Sequence, residues 1–296
     1  MMKKRELISR RQAFKTIAAT TALGLHYPTV AIQKSSKRNL KKNIKQSVCH
    51  WCYQDMLTVE QLAIEVKKIG LVGIDLVGPE NWKYLKTHDL ESTMCNGAEI
   101  SLTEGFNDKQ YHGVLVDSYL KHIDLVADAG YKNLICFSGN RREIDDQEGL
   151  ENCVVGLKRV LSKAEKRGVI IHMELLNSKV DHKDYMCDRT HWGVELCNAI
   201  GSENFKLLYD IYHMQVQEGD IIRNIKDYSQ YIGHYHTAGN PGRNELDTNQ
   251  EIYYPAVIRA IIDTGYDGYL AQEFIPKDKS NLGMDSLAHA VAVCDV

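Results

Sequence analysis

Residues 149–175 read GLENCVVGLKRVLSKAEKRGVIIHMEL. Leu150, Cys153, Val154, Leu157, Val160, Leu161 and Ala164 recur at the i, i+3, i+4, i+7 spacing of one helix face. Lys166 and Arg167 then precede Gly168, the usual C-terminal stop. A short apolar run, VIIHMEL, follows at once, broken only by His172 and Glu174. A helix that hands over through one glycine to a short apolar run predicts a strand buried on both faces, as in a parallel βαβ unit.

The same unit repeats in both directions. Short apolar runs occupy 44–50, 71–76, 91–96, 133–138, 169–175, 205–211, 231–237 and 268–274. Amphipathic stretches lie between several of them, starting at Thr58, Gln110, Gly149 and Tyr253, and Gly70, Gly130 and Gly265 close units as Gly168 does. Eight strand–helix units in about 250 residues predict an α/β fold, a closed (β/α)8 barrel. A doubly wound open sheet is the competitor, but its Gly-rich phosphate turn does not follow the first run.

The N-terminus differs in kind. Ser9 to Lys15 read SRRQAFK, with paired Arg10 and Arg11, and a mildly apolar run follows. This order matches a twin-arginine export signal. The run is too short for the roughly 20 residues that span a bilayer. The expected organisation is a signal segment over 1–31, a polar, basic linker over 32–43 and a catalytic barrel over 44–296. Export by that route would place the protein in the periplasm, without a membrane anchor.

Composition bounds the partners. Apolar residues make up 44% and charged residues 25%, enough for a sizeable core. A net charge of −3 lacks the basic footprint of a nucleic-acid binder. It leaves a small-molecule substrate, sugar or keto acid, and room for a homo-oligomer. The eight cysteines are irregularly spaced, and most read as buried thiols; Cys49 and Cys52 form one isolated CxxC, a weak redox or metal signal.

Active sites of such barrels lie at the C-terminal strand ends. There, Glu174 closes IIHMEL, Asp210 closes LLYD, His236 closes GHYH and Glu273 follows LAQ. Ionisable groups amid apolar strand residues are costly to bury unless paired or metal-bound. Closing the barrel would gather all four around one axis. Three carboxylates and an imidazole suit one divalent cation such as Mn²⁺ or Mg²⁺. Glu174 and Glu273 are then expected to be catalytic as well, since moving a carbon-bound proton needs a base and a proton donor beside the polarised oxygens. His50 and Asn96, at the ends of the first and third runs, are candidate substrate contacts, and Trp51 beside His50 could form a pocket wall or simply pack at the barrel mouth. Phe137 to Asn140 read as an ordinary βα turn, with anion binding by its backbone N–H groups the alternative; Arg141 and Arg142 read as surface charge, placed where a carboxylate or phosphate could be met; and the 177–188 loop, with Lys179, His182 and Tyr185, reads as a lid.

From residue 44 onward the chain resembles the xylose-isomerase-like TIM-barrel superfamily, and within it hydroxypyruvate isomerase and the ketose 3-epimerases. MELLN (173–177), YDIYHMQ (209–215), GHYHTAGNPGRNELD (233–247), EIYY (251–254) and QEF (272–274) carry the resemblance. It implies that Glu174, Asp210, His236 and Glu273 hold the metal, that His213 contacts the sugar beside it, and that Arg243 binds substrate. His236 is the epimerase-like choice where hydroxypyruvate isomerase typically has Gln. The expected activity is metal-dependent isomerisation of an α-hydroxy carbonyl compound through enediolate proton transfer. Ketose 3-epimerisation is the first alternative and dehydration or lysis of a keto-sugar the second. A non-catalytic sugar-binding barrel would not need both glutamates. An endonuclease IV-like nuclease fits worst, for want of further histidines and of a basic face.

Overall fold

The computed structural model describes residues 40–296, which fall within one compact unit, Asn39–Val296. The signal segment over 1–31, with its twin-arginine motif, and residues 32–39 of the linker lie outside the described residues. The end of the linker is anchored: the Lys41 and Lys42 backbone N–H groups donate to the Asp295 carboxylate at 2.7 and 2.9 Å. The Asn43 amide donates to the Val296 carbonyl. The barrel therefore binds its own C-terminus from Lys41 onward, a little before the expected boundary at residue 44.

Eight parallel strands alternate with helices. They are β1 (Lys45–Cys49), β2 (Gly73–Asp75), β3 (Glu91–Ser92), β4 (Asn133–Cys136), β5 (Ile170–Leu175), β6 (Phe205–Asp210), β7 (Ile232–Thr237) and β8 (Tyr269–Gln272). The helices are α1 (Val59–Ile69), α2 (Trp82–Thr87), α3 (His112–Asp128), α4 (Asp146–Arg167), α5 (Thr190–Ile200), α6 (Ile211–Gln217), α7 (Ile221–Tyr228), α8 (Tyr254–Asp263) and α9 (Met284–Cys294). The strands pair in the order β3-β2-β1-β8-β7-β6-β5-β4, so chain ends β1 and β8 are neighbours. The remaining gap, between β3 and β4, is bridged by Cys95. Its N–H donates to the Asn133 carbonyl at 2.9 Å and its carbonyl accepts from Ile135 N–H at 3.0 Å. The third run is thus regular for only two residues, not the expected 91–96, and ends as a single bridge.

Local signals explain the elements. The α1 N-terminus is a capping box: Thr58 Oγ1 accepts from Gln61 N–H, and the Gln61 side chain accepts from Thr58 N–H. Gly70 ends the helix at φ +103°, a conformation in which a side chain would be strained. Asp145 caps α4 by accepting from Glu148 N–H at 2.8 Å. The apolar stripe Leu150, Cys153, Leu157, Val160, Leu161 and Ala164 is buried against the barrel wall.

The 177–188 loop departs from the lid expected for it. Tyr185, Met186, Cys187 and Asp188 are buried. Arg141 clamps them, donating to the Tyr185 and Met186 carbonyls and to Asp188 Oδ1. Asp188 Oδ2 also accepts from Ser178 and Gln217. Aromatic burial and a bidentate cation hold this half of the loop as part of the scaffold, and only Lys179 to Asp184 remain at the surface. Arg141, read as surface charge, is therefore a structural clamp. All eight cysteines are free and buried, Cys49 and Cys52 among them. Among the described residues no helix is long and apolar enough to cross a membrane.

Candidate active site

Strands β5, β6, β7 and β8 are adjacent, so their C-terminal ends deliver Glu174, Asp210, His236 and Glu273 to one place. One ligand atom from each lies within 4.8 Å of the others, and all four residues are buried. His236 Nδ1 is 2.9 Å from Glu273 Oε2 and 3.5 Å from Glu174 Oε1. Asp210 both ends β6 and caps α6, accepting from His213 N–H at 3.1 Å.

Charge balance is the tension in this cluster. Arg243 Nη2 lies 2.6 Å from Glu273 Oε2 and 3.4 Å from Asp210 Oδ2. Trp51 Nε1 donates to Glu273 Oε1 at 2.7 Å. Burial would push the Glu273 carboxyl up, but Arg243 and His236 more than offset it and hold it well below the usual range. Glu174 is not so compensated: burial pushes its carboxyl up, and its Oε1 is buried without a hydrogen-bond partner. Burial, with Glu273 adding to it, raises Asp210 well above the ordinary carboxylate value.

This donor set fits a divalent ion. Three buried carboxylates against one guanidinium leave negative charge that such an ion would neutralise. An unpartnered Glu174 oxygen faces the same point as His236 Nδ1. The other ring nitrogen of His236 lies 2.9 Å from Asp75 Oδ2, the carboxylate–histidine arrangement common behind metal ligands.

The remaining expected residues fall at different distances from the quartet. His213 is buried, and its Nδ1 accepts from the Asn177 amide at 2.5 Å, which leaves the proton on Nε2. That Nε2 is unpartnered and 3.7 Å from Asp210 Oδ2, so it presents a free N–H beside the quartet. Burial, then Arg243, hold His213 well below the usual histidine value, so the ring is neutral. Arg243 reaches the quartet carboxylates directly, with its guanidinium 5.0 Å from the Trp51 ring and 5.7 Å from the Tyr212 ring. His50 bonds to the Leu57 carbonyl at 3.0 Å; its neighbour Trp51 is the residue that touches Glu273. Asn96 sits half-buried just past the Cys95 bridge. A cleft of about 540 Å³ shares Arg243 with this site; Asp181, His182, Tyr212, Gln215 and Glu251 also line it.

Asp75, at the end of β2, was not singled out from the sequence. Its signal was the same as for the quartet: a carboxylate ending the apolar run LVGID. It is fully buried, and although burial opposes ionisation, His234 and His236 hold it well below the usual range. Beneath it, His172 packs edge-on to His234 and against Gly233, where a Cβ would lie 2.6 Å from the ring. Burial, then His234, lower the His172 pKa to about 3, so this ring is neutral core filling.

A parallel barrel whose C-terminal mouth carries a carboxylate–imidazole quartet is one of a definable class of (β/α)8 proteins. The chain belongs to the xylose isomerase-like TIM barrel family, which it matches over residues 78–290. It is 33% identical over 121 residues to the 2-oxo-tetronate isomerase of Cupriavidus necator, covering 41% of this chain and 46% of that protein. It is 25% identical over 223 residues to the hydroxypyruvate isomerase of Escherichia coli, covering 64% of this chain and 86% of that protein. The chain spans about half the length of several of the curated relatives it matches. Among solved structures, a 3-keto-D-glucoside 4-epimerase from E. coli superposes with a TM-score of 0.70 at 17% identity, over 85% of this chain and all 100% of that one. This last likeness is one of fold.

Proposed function

We propose that the protein is a divalent-metal-dependent isomerase or epimerase of a small α-hydroxy carbonyl compound, a sugar or a keto acid. The observation that carries the reading is the quartet itself, with two glutamates from β5 and β8 flanking His236 from β7. Isomerase relatives and an epimerase of the same fold support it.

Bound at the quartet, the ion would act as a Lewis acid toward the carbonyl and hydroxyl oxygens. The chain's own residues do the rest. Glu174 and Glu273 enter from strands separated by β6 and β7, so they can approach a bound carbon framework from opposite sides. One accepts the carbon-bound proton, and the other returns a proton to the same or the neighbouring carbon. The free Nε2–H of His213 can donate to a substrate oxygen beside Asp210. Arg243 holds Glu273 ionised and, with the Trp51 and Tyr212 rings close to its guanidinium, walls one side of the cleft. Trp51 fixes the Glu273 rotamer through its indole N–H.

The test is incubation of Mn²⁺- or Mg²⁺-loaded protein with keto acids, ketoses and 3-keto-sugars in D₂O. Deuterium is expected on the carbon that accepts the proton: the same carbon for an epimerase, its neighbour for an isomerase. Loss of water without exchange into a rearranged sugar would favour the dehydratase reading. No turnover and no exchange across the panel would remove the isomerase reading.

We also propose export through the twin-arginine route, from the SRRQAFK motif at Ser9 to Lys15. Replacing Arg10 and Arg11 together by Lys should retain the precursor inside the cell, as read by fractionation and immunoblot. Unchanged release of the double variant would eliminate this route.

A further inference from the structure

Asp75 collects four side chains onto one carboxylate in the barrel interior. Its Oδ1 accepts from Ser47 Oγ of β1 at 3.1 Å and from Thr93 Oγ1, beyond β3. Its Oδ2 lies 2.9 Å from both His234 Nε2 and His236 Nε2 of β7. A carboxylate has about four acceptor positions, and all are used here. Because an ionised carboxylate can only accept, both imidazoles must donate, and each therefore carries its proton on Nε2.

The two rings then differ in what their Nδ1 meets. His234 Nδ1 is buried without a partner. His236 Nδ1 faces Glu273 and Glu174 at 2.9 and 3.5 Å. We propose that Asp75 is a positioning residue that locks His236 with its proton on Nε2, so that Nδ1 is the atom presented to the ion. This inference rests on the metal-dependent reading of the quartet.

His236 is the one imidazole in the set, and its ring nitrogen turned away from the quartet meets Asp75. An imidazole with no acceptor behind it can place the proton on either nitrogen or rotate about its χ2. Asp75 removes both freedoms and, through its charge, makes the opposite nitrogen a better donor. The hydroxyls of Ser47 and Thr93 hold the carboxylate plane, which aims Oδ2 at β7. Asp75→Asn keeps the shape. Its amide oxygen can still meet the imidazoles only if the amide nitrogen turns to the hydroxyls, and the charge is lost in either orientation.

Two readouts decide the matter. Mn²⁺ affinity, measured by calorimetry, should fall about 10–100-fold in Asp75→Asn. It should fall by clearly less in Ser47→Ala, where Thr93 still holds Oδ1 and the carboxylate charge behind both imidazoles is kept. Nitrogen-15 NMR of wild-type protein loaded with ¹¹³Cd²⁺ should show metal coupling to His236 Nδ1 and a proton on Nε2. Coupling to Nε2 would overturn the proposal, and this arm holds even if Asp75→Asn does not fold. Wild-type Mn²⁺ affinity in folded Asp75→Asn would overturn it too. Failure of the wild-type protein to bind either ion would instead overturn the metal reading, on which the role of Asp75 depends.

Discussion

Glu174→Gln and Glu273→Gln are each expected to lower kcat about 10²–10⁴-fold, the usual worth of a general acid or base. Gln keeps an oxygen ligand and nearly the same volume but cannot take up a proton at neutral pH. The two variants should differ in a second way. Glu273 accepts from Arg243 and Trp51, so its amide forfeits an ion pair, whereas Glu174 Oε1 has no such partner. Glu273→Gln should therefore lose more Mn²⁺ affinity than Glu174→Gln at a similar loss of turnover. Asp210→Asn should act mainly through the ion and recover partly in excess Mn²⁺. Single-turnover rates, metal content and deuterium wash-in measure each part. Wild-type turnover in both Gln variants with metal retained would reduce the quartet to a structural or purely Lewis-acid site.

Tyr185→Ala should destabilise the fold by about 3–5 kcal/mol, as for other large aromatic truncations. For a domain of this size that is a fall in Tm of roughly 6–20 °C. The ring is fully buried, and its hydroxyl accepts from Ser138 N–H at 3.1 Å and donates to the Glu174 carbonyl at 3.0 Å. It therefore ties the end of β4 to the end of β5, the strand that carries a proposed proton carrier. Tyr185→Phe removes the hydroxyl and its bonds while keeping the ring, and should cost about 1–3 kcal/mol. Its effect on turnover should exceed its effect on stability, because the slack falls on Glu174. Thermal melts and kcat of both variants are the measurement. A Tm unchanged in Tyr185→Ala would mean that this half of the loop is not part of the scaffold.

The strands were legible because each is a short apolar run, and several follow a glycine that ends a helix; α4 and β5 show both signals side by side. What escaped was structure held by contact rather than pattern. α5 carries Gly193 at the end of its first turn, a poor helix former. There the glycine lets the helix lie on β5 and β6, where a Cβ would meet Leu207 at 2.9 Å and Leu175 at 3.3 Å. α2, α6 and α7 run for only six to eight residues, too short for periodicity to register. The 177–188 loop is polar along its first half, and nothing local reveals that Arg141 reaches across to fix its second half.

The quartet was legible for a different reason: a carboxylate at the end of an apolar strand is conspicuous wherever it falls. By that rule Asp75 was equally visible in LVGID. It was passed over because its neighbours do not carry the motifs around the other four, and its partners come from β1, the β3 segment and β7. Trp51 was legible only as a pocket-wall candidate beside His50; its contact with Glu273 depends on β1 and β8 lying side by side, which brings its indole onto that carboxylate.

The Cys95 bridge has a consequence for how the wall breathes. Seven of the eight junctions between strands are ladders of at least two paired positions, while the junction of β3 and β4 hangs on the two backbone bonds of one residue. Local openings start where the fewest bonds must break together. The Cys95 and Ile135 amides should therefore exchange their hydrogens sooner than those of Met173 or Leu208, deep in the β5–β6–β7 ladder. An opening along that seam would unzip the barrel on the side away from β6 and β7. The four ligand-bearing strands, each joined to the next by a ladder of at least three paired positions, would keep their spacing while the opposite wall fluctuates.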